Sequence, residues 1–171
     1  YLIANWKQNF DLTQAQSWLE KFSSLYQAHP QVKVIIAGSF IHLPLLSQNQ
    51  KDFAVSAQNV SPFPTGAHTG NVGVEQLKDI VSHCIIGHSE TRQEQGDSDD
   101  HVATKANLLQ KAHITPIICL DLPYLESQIQ ALKHELLELK DLIFAYEPRG
   151  AIGTGRPENP ARANEITFKI K

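Results

Sequence analysis

Six short apolar runs, each followed by a stretch with helical spacing, constrain this chain more than any other feature of its sequence. The runs cover residues 2–6, 32–37, 53–58, 84–87, 115–120 and 142–146. They are near-continuous in apolar residues where half-buried strands would alternate, which is the pattern of strands covered on both faces. Helical spacing follows in 13–28, 41–49, 74–80, 101–112, 124–139 and 159–171. In the first of these Trp18, Leu19, Phe22 and Leu25 share a face; in the fifth, Leu125, Ile129, Leu132, Leu136 and Leu139 do. Asp11 or Thr13 can cap the first helix. Strands alternating with helices predict an α/β fold whose parallel sheet has right-handed crossovers. The count is six βα units with no linker among them.

Composition narrows the class. A chain of 171 residues with 42% hydrophobic content is one domain with enough apolar mass for a core. Fifteen basic and 18 acidic residues leave a net charge of -3, so no broad field exists to hold nucleic acid or an anionic membrane. No apolar run approaches the roughly 20 residues of a membrane helix, and no basic-then-apolar leader opens the chain. These features predict a soluble, cytoplasmic protein. Cys84 and Cys119 both lie in apolar strand-like runs and read as buried reduced thiols. With no CxxC, HExxH or GxGxxG before a helix, no metal and no cofactor is expected. The chain starts at Tyr1 within a strand-like run, holds no methionine and stops at Lys171 within a helical pattern, so further residues are expected at both ends.

Chemistry gathers at three strand ends. The run 142–146 delivers Glu147, then Pro148 and a loop with glycines at 150, 153 and 155; the run from Cys84 ends in Gly87, His88, Ser89 and Glu90; the first ends in Asn5, Trp6 and Lys7. A carboxylate closing a buried strand is costly unless it has work to do, and loops at carboxyl ends carry the chemistry of parallel α/β folds. In a barrel of parallel strands these ends converge. The loop 59–71, with Pro62, Pro64, Gly66 and Gly70, is long for a compact domain and reads as a protein-contact element. The acidic run Asp97, Asp99 and Asp100 suits a helix N-terminus and reads as a solvated turn.

Five stretches carry a family resemblance: Asn5-Trp6-Lys7, Ala57-Gln58-Asn59-Val60, Ile86-Gly87-His88-Ser89-Glu90, Pro116-Ile117-Ile118-Cys119, and Ala145-Tyr146-Glu147-Pro148 with Ala151-Ile152-Gly153-Thr154-Gly155. Taken in order, they resemble the triosephosphate isomerase family. The resemblance implies a TIM (β/α)8 barrel, here incomplete: a single domain over residues 1–171 with about six βα units, lacking strands 7 and 8. It implies a cofactor-free isomerase interconverting dihydroxyacetone phosphate and D-glyceraldehyde 3-phosphate through an enediolate. Glu147 would be the general base and His88 the neutral electrophile, the family's established pairing. Lys7 would offset substrate charge, Asn5 would donate to its oxygens, and Gly153 would give a backbone N–H to the phosphate. Glu90 would pair with Lys7 or serve the next helix, and Ser89 would cap that helix. Thr69, near the tip of loop 59–71, would reach a neighbouring subunit in a homodimer.

On chemical grounds, aldose–ketose exchange needs one base for a carbon-bound proton, one donor for the enediolate oxygen, and exclusion of water. The apolar flank of Glu147 (Phe144, Ala145, Ile152) would raise its basicity as water leaves.

The pattern also departs from the family. Arg149-Gly150 replaces an aliphatic residue and tryptophan, which bears on the loop hinge. Thr91-Arg92 replaces two arginines, with loss of an ion pair expected; Leu120-Asp121-Leu122 replaces Val-Gly-Glu; and the segment before strand six implies a trimmed fifth helix. Without strands 7 and 8 two sheet edges would stay open, so the natural polypeptide is expected to run to about 250 residues. Two alternatives remain open at this stage. One is a catalytically inactive, incomplete barrel serving as an assembly module, and the other is a different barrel enzyme acting on a related phosphorylated sugar.

Overall fold

The computed structural model describes residues 1–136, 140–148 and 150–170. Six strands form one parallel sheet in chain order: β1 (Leu2–Asn5), β2 (Val34–Gly38), β3 (Ala54–Ala57), β4 (His83–Ile86), β5 (Thr115–Leu120) and β6 (Ile143–Tyr146). Every neighbouring pair is parallel, so all six carboxyl ends lie at one rim. This is the incomplete (β/α) barrel expected above. Among the described residues β1 and β6 are the edge strands.

The helices are α1 (Leu12–Leu25), α2 (Leu43–Asn49), α3 (Val74–Leu77), α4 (Ser89–Glu94), α5 (Asp99–Lys111), α6 (Leu125–Glu135) and α7 (Pro160–Ile170). Short 3-10 turns at Phe40–His42 and Leu122–Tyr124 lead into α2 and α6. Asp11 supplies the α1 cap: it accepts from the Gln14 N–H while the Gln14 side chain accepts from the Asp11 N–H. The expected helix end at residue 139 lies outside the described residues, as do position 149 and Lys171. α4 has no counterpart among the spans of helical spacing, because six largely polar residues carry no apolar period; only the reading of Ser89 as a helix cap pointed to it.

The sheet has two apolar faces, which is why its strands read as continuous runs. Ile36, Val55, Cys84, Ile86, Ile118 and Leu120 pack outward against Leu19, Leu46, Val102, Leu109 and Leu132 of the helices. Ile35, Ala37, Ile85, Ile117 and Cys119 form a separate inner cluster, joined by Ile3, Ala54, Ile143 and Ala145. Side chains alternate between faces along a strand, so Asn5 follows Ile3, and Glu147 follows Ala145, onto the inner side. Leu25 departs from its expected face and is 71% exposed. An edge-to-face contact between Trp6 and Trp18 (centroids 5.1 Å apart) fixes α1 against the end of β1.

Two acidic residues expected in a solvated turn are held by cations instead. The Lys105 ammonium, 2% exposed, lies 2.5 Å from Asp97 Oδ1 and also donates to Asn59 Oδ1 at 2.9 Å. Asp99 accepts from Arg92 at 2.8 Å and from the Ser127 hydroxyl at 2.6 Å. Arg92, the arginine that remains at this point, is thus paired, while Thr91 beside it donates its hydroxyl to His88 O at 2.9 Å. The Arg92 guanidinium also donates to Gly87 O (2.9 Å) and to Gln128, and lies 4.2 Å above the Tyr124 ring. Removing one partner of a buried ion pair strands the other charge, at a cost of roughly 3–5 kcal/mol. Lys105→Met is expected to lower unfolding stability in urea by about that amount, and adding Asp97→Asn should recover part of the loss; a single variant as stable as the parent would contradict the account.

Candidate active site

The carboxyl ends of β1, β4 and β6 place the chemistry-bearing side chains. Lys7 lies two residues past β1 with a left-handed backbone, φ 52°. A non-glycine residue there costs roughly 1–2 kcal/mol. Its backbone N–H donates to Asn5 Oδ1 at 3.1 Å, and its Nζ lies 2.6 Å from Glu90 Oε1. Both charged side chains are more than a third exposed (38% and 40%), so the pair contributes at most about 1 kcal/mol of stability and acts chiefly to position the ammonium. The expected pairing of Glu90 with Lys7 is therefore present.

The turn after β4 depends on Gly87. Its φ of +66° is left-handed, and an added Cβ would meet Val102 Cγ2 at 3.0 Å and Arg92 Nη2 at 3.1 Å. The turn sends His88 to the N-cap of α4, where its Nδ1 accepts the Glu90 N–H at 3.2 Å. That bond fixes the tautomer: the lone pair sits on Nδ1 and the proton on Nε2. Nε2 in turn lies 2.8 Å from Glu147 Oε1, with both side chains 12% exposed.

Ser89 corrects the sequence reading. His88 is the cap of α4, and Ser89 is its first residue. The Ser89 hydroxyl donates to Glu147 Oε1 at 2.8 Å and its backbone N–H to Oε2 at 3.0 Å. Burial alone would push the Glu147 carboxyl up, but the hydrogen bonds from His88 and from the Ser89 backbone outweigh it and hold the group below its ordinary value. The raised basicity expected from its apolar flank concerns the site once water has left; with these donors in place the net direction is downward. The sequence signal for this was a serine directly after the histidine.

Asn5, Lys7, His88 and Glu90 line one open cleft of about 710 Å³, with Gln58, Asn59 and Gln95 on its wall. Glu147 meets it through His88. Gly153 does not line this cleft: with φ +71° it is exposed in the loop after β6, whose Pro148, Gly150 and Ala151 border a separate groove with Asp121 and Tyr146. The hinge residue at 149 lies outside the described residues. Loop 59–71 is tied at its base by Ser61 N–H donating to Val72 O (2.8 Å), with Phe63 stacked on His68 at 4.5 Å and Thr69 exposed. Among the described residues no cluster of three or more His, Cys, Asp or Glu side chains could hold a metal ion, and no helix is long and apolar enough to cross a membrane. Cys84 and Cys119 are free and buried, as expected, and burial pushes both thiols up.

Comparison of the sequence with known proteins gives one family. The family model described as triosephosphate isomerase matches residues 1–171. The triosephosphate isomerase of Mesomycoplasma hyopneumoniae is 34% identical over 188 residues, covering 99% of this chain and 77% of its own. That of Deinococcus radiodurans is 33% identical over 181 residues (99% and 74%), and that of Mycoplasma genitalium 34% over 182 residues (100% and 74%).

The lowered Glu147 carboxyl has a consequence for pH. A group whose folded value lies below its unfolded one contributes stability above the unfolded value, near the ordinary carboxylate range, and loses it as pH falls through the folded value. Ser89→Ala removes one donor, so the Glu147 titration followed by carboxyl NMR should move upward and the acid-side loss of stability should begin at higher pH. An unchanged titration would remove Ser89 from the account.

Proposed function

This chain belongs to the triosephosphate isomerase family, and from that premise we propose that it interconverts dihydroxyacetone phosphate and D-glyceraldehyde 3-phosphate with Glu147, His88, Lys7 and Asn5 as its working residues. The observation that carries the residue assignment is the juxtaposition of a carboxylate with an imidazole Nε2–H at 2.8 Å, beside an ammonium and an amide at one cleft. The bound triose has a carbonyl and an adjacent hydroxyl-bearing carbon. Glu147 takes the proton from that carbon, and the electron pair moves onto the carbonyl oxygen. His88 Nε2–H meets that oxygen and stabilises the enediolate. His88 passes the proton of the neighbouring hydroxyl to the former carbonyl oxygen, and return of the carbon-bound proton from Glu147 to the neighbouring carbon completes an exchange with no net gain or loss of atoms or electrons, so no cofactor enters.

Glu147 cannot act as a base while three donors hold it. Substrate binding therefore has to draw the carboxylate off both His88 and Ser89, which removes the interactions that lower its basicity and leaves burial, which raises it. Closure of the loop after Pro148 excludes water and carries the Gly153 N–H to the phosphate, and the left-handed Gly153 and Gly155 give that loop its freedom. Lys7 and Asn5 offset and orient the anion. Residues 1–171 act as one barrel domain supplying six βα units. A homodimer through loop 59–71, with Thr69 reaching the neighbouring site, is part of this proposal. So is a cytoplasmic location, where a phosphorylated, charged substrate is retained.

In a coupled assay converting glyceraldehyde 3-phosphate to dihydroxyacetone phosphate, Glu147→Gln is expected to lower kcat by about 10²–10⁴, the usual worth of a positioned base, with an unchanged circular dichroism spectrum. Equal rates for the parent and the variant would rule out Glu147 as the base.

A further inference from the structure

The motif Ala57-Gln58-Asn59-Val60 has no part in the chemistry described so far, yet Gln58 touches the backbone of a residue that does. Gln58 is the first residue past β3, and its side-chain nitrogen donates to Lys7 O at 3.1 Å and to Ala37 O at 2.9 Å. An amide nitrogen has two hydrogens, and both are used. Ala37 O also accepts the Trp6 N–H at 2.9 Å, so the carboxyl ends of β1, β2 and β3 meet at one point.

Lys7 lies beyond the last ladder pair of β1, which is Asn5 with Ala37. Its N–H is taken by the Asn5 side chain and its C=O by the Gln58 side chain. Two carboxamides therefore fix the peptide groups on either side of a left-handed, non-glycine Cα. Such a conformation persists only where its surroundings over-determine it. Relaxing it would swing the Lys7 side chain away from Glu90 and the cleft.

We propose that Gln58 is a positioning residue: by bridging Lys7 O to Ala37 O it locks the left-handed backbone that aims the Lys7 ammonium at the anion of the substrate. The inference rests on the reading of Lys7 as the cation that meets the substrate phosphate. Gln58 touches no reacting atom and acts only through Lys7.

A double-mutant cycle isolates that dependence. Binding of inorganic phosphate is measured by calorimetry, and isomerase kinetics in parallel, for the parent, Gln58→Met, Lys7→Met and the double variant. Gln58→Met should weaken phosphate binding about tenfold, the worth of one or two net hydrogen bonds, and raise KM similarly with a smaller change in kcat. In the Lys7→Met background it should change neither. Equal weakening in both backgrounds, no weakening in the single variant, or a parent that binds no phosphate would each overturn the proposal. Gln58→Leu also removes the donor without adding charge; it is read the same way if Gln58→Met fails to fold. A parent that binds phosphate without isomerising the triose would sink the functional reading and still leave the cycle interpretable.

Discussion

The parallel pairing of six consecutive strands is the constraint on which everything at the active rim depends. Because each strand pairs with its sequence neighbours and runs the same way, side chains from positions 5, 88 and 147 arrive at one edge although long stretches of chain separate them. The Glu147 N–H donating to Leu120 O at 2.8 Å extends the β5–β6 ladder one step past the strand. The carboxylate is thus placed by backbone hydrogen bonding, with little left to side-chain freedom. Helices on the outer face and a small inner cluster hold the strands in this register. The dual burial that makes the strands read as unbroken apolar runs also makes their ends a defined rim.

At that rim, electrostatics and solvation oppose each other. Burial disfavours the charged form of Glu147, whereas His88 and Ser89 favour it, and in this arrangement the donors win. A carboxylate so held is well placed but weakly basic. Under the proposed function, the same desolvation would become the dominant influence once the His88 and Ser89 bonds are exchanged for substrate, so one side chain would be quiet at rest and basic when engaged. His88 is constrained from the other side: its Nδ1 is committed to the Glu90 N–H, which leaves only Nε2–H to face the carboxylate or a substrate oxygen. Glu90 therefore takes part twice, through its backbone to the imidazole and through its carboxylate to Lys7.

How much of this was legible in the sequence follows from the range of the interactions involved. The strand runs, the long helices and the ends carrying Asn5, Lys7, His88 and Glu147 are local patterns, and they were read directly. Asp97 and Asp99 were misread as solvated because an acidic cluster before a helix has that local meaning, and only the distant Asn59 and Gln128 segments fold around Lys105 and Arg92 to give these carboxylates a buried setting. α4 was missed because its stability comes from the turn at Gly87 and the cap at His88. The role of Ser89 needed a partner 58 residues away. Local periodicity predicts elements; polar networks that span elements become visible only once the chain has folded.

The two sides of the site also differ in mechanical character, and the reason lies in their hydrogen bonding. The strand-end residues are pinned by bonds that cross elements: Lys7 by Glu90 and Gln58, His88 by Glu147, and Asn59 by Lys105. Among the described residues of the loop after Glu147, the Ala151 N–H donates to Pro148 O and Thr154 Oγ1 to Ala151 O, while Gly153 and Gly155 have no atoms within 4 Å of where a side chain would begin. Segments with few tertiary bonds and open surroundings lie at the low-stability end of a fold. Under the proposed function, a rim pinned by cross-element bonds beside this glycine loop would hold the acid and base in place and yet admit and then cover a small anion.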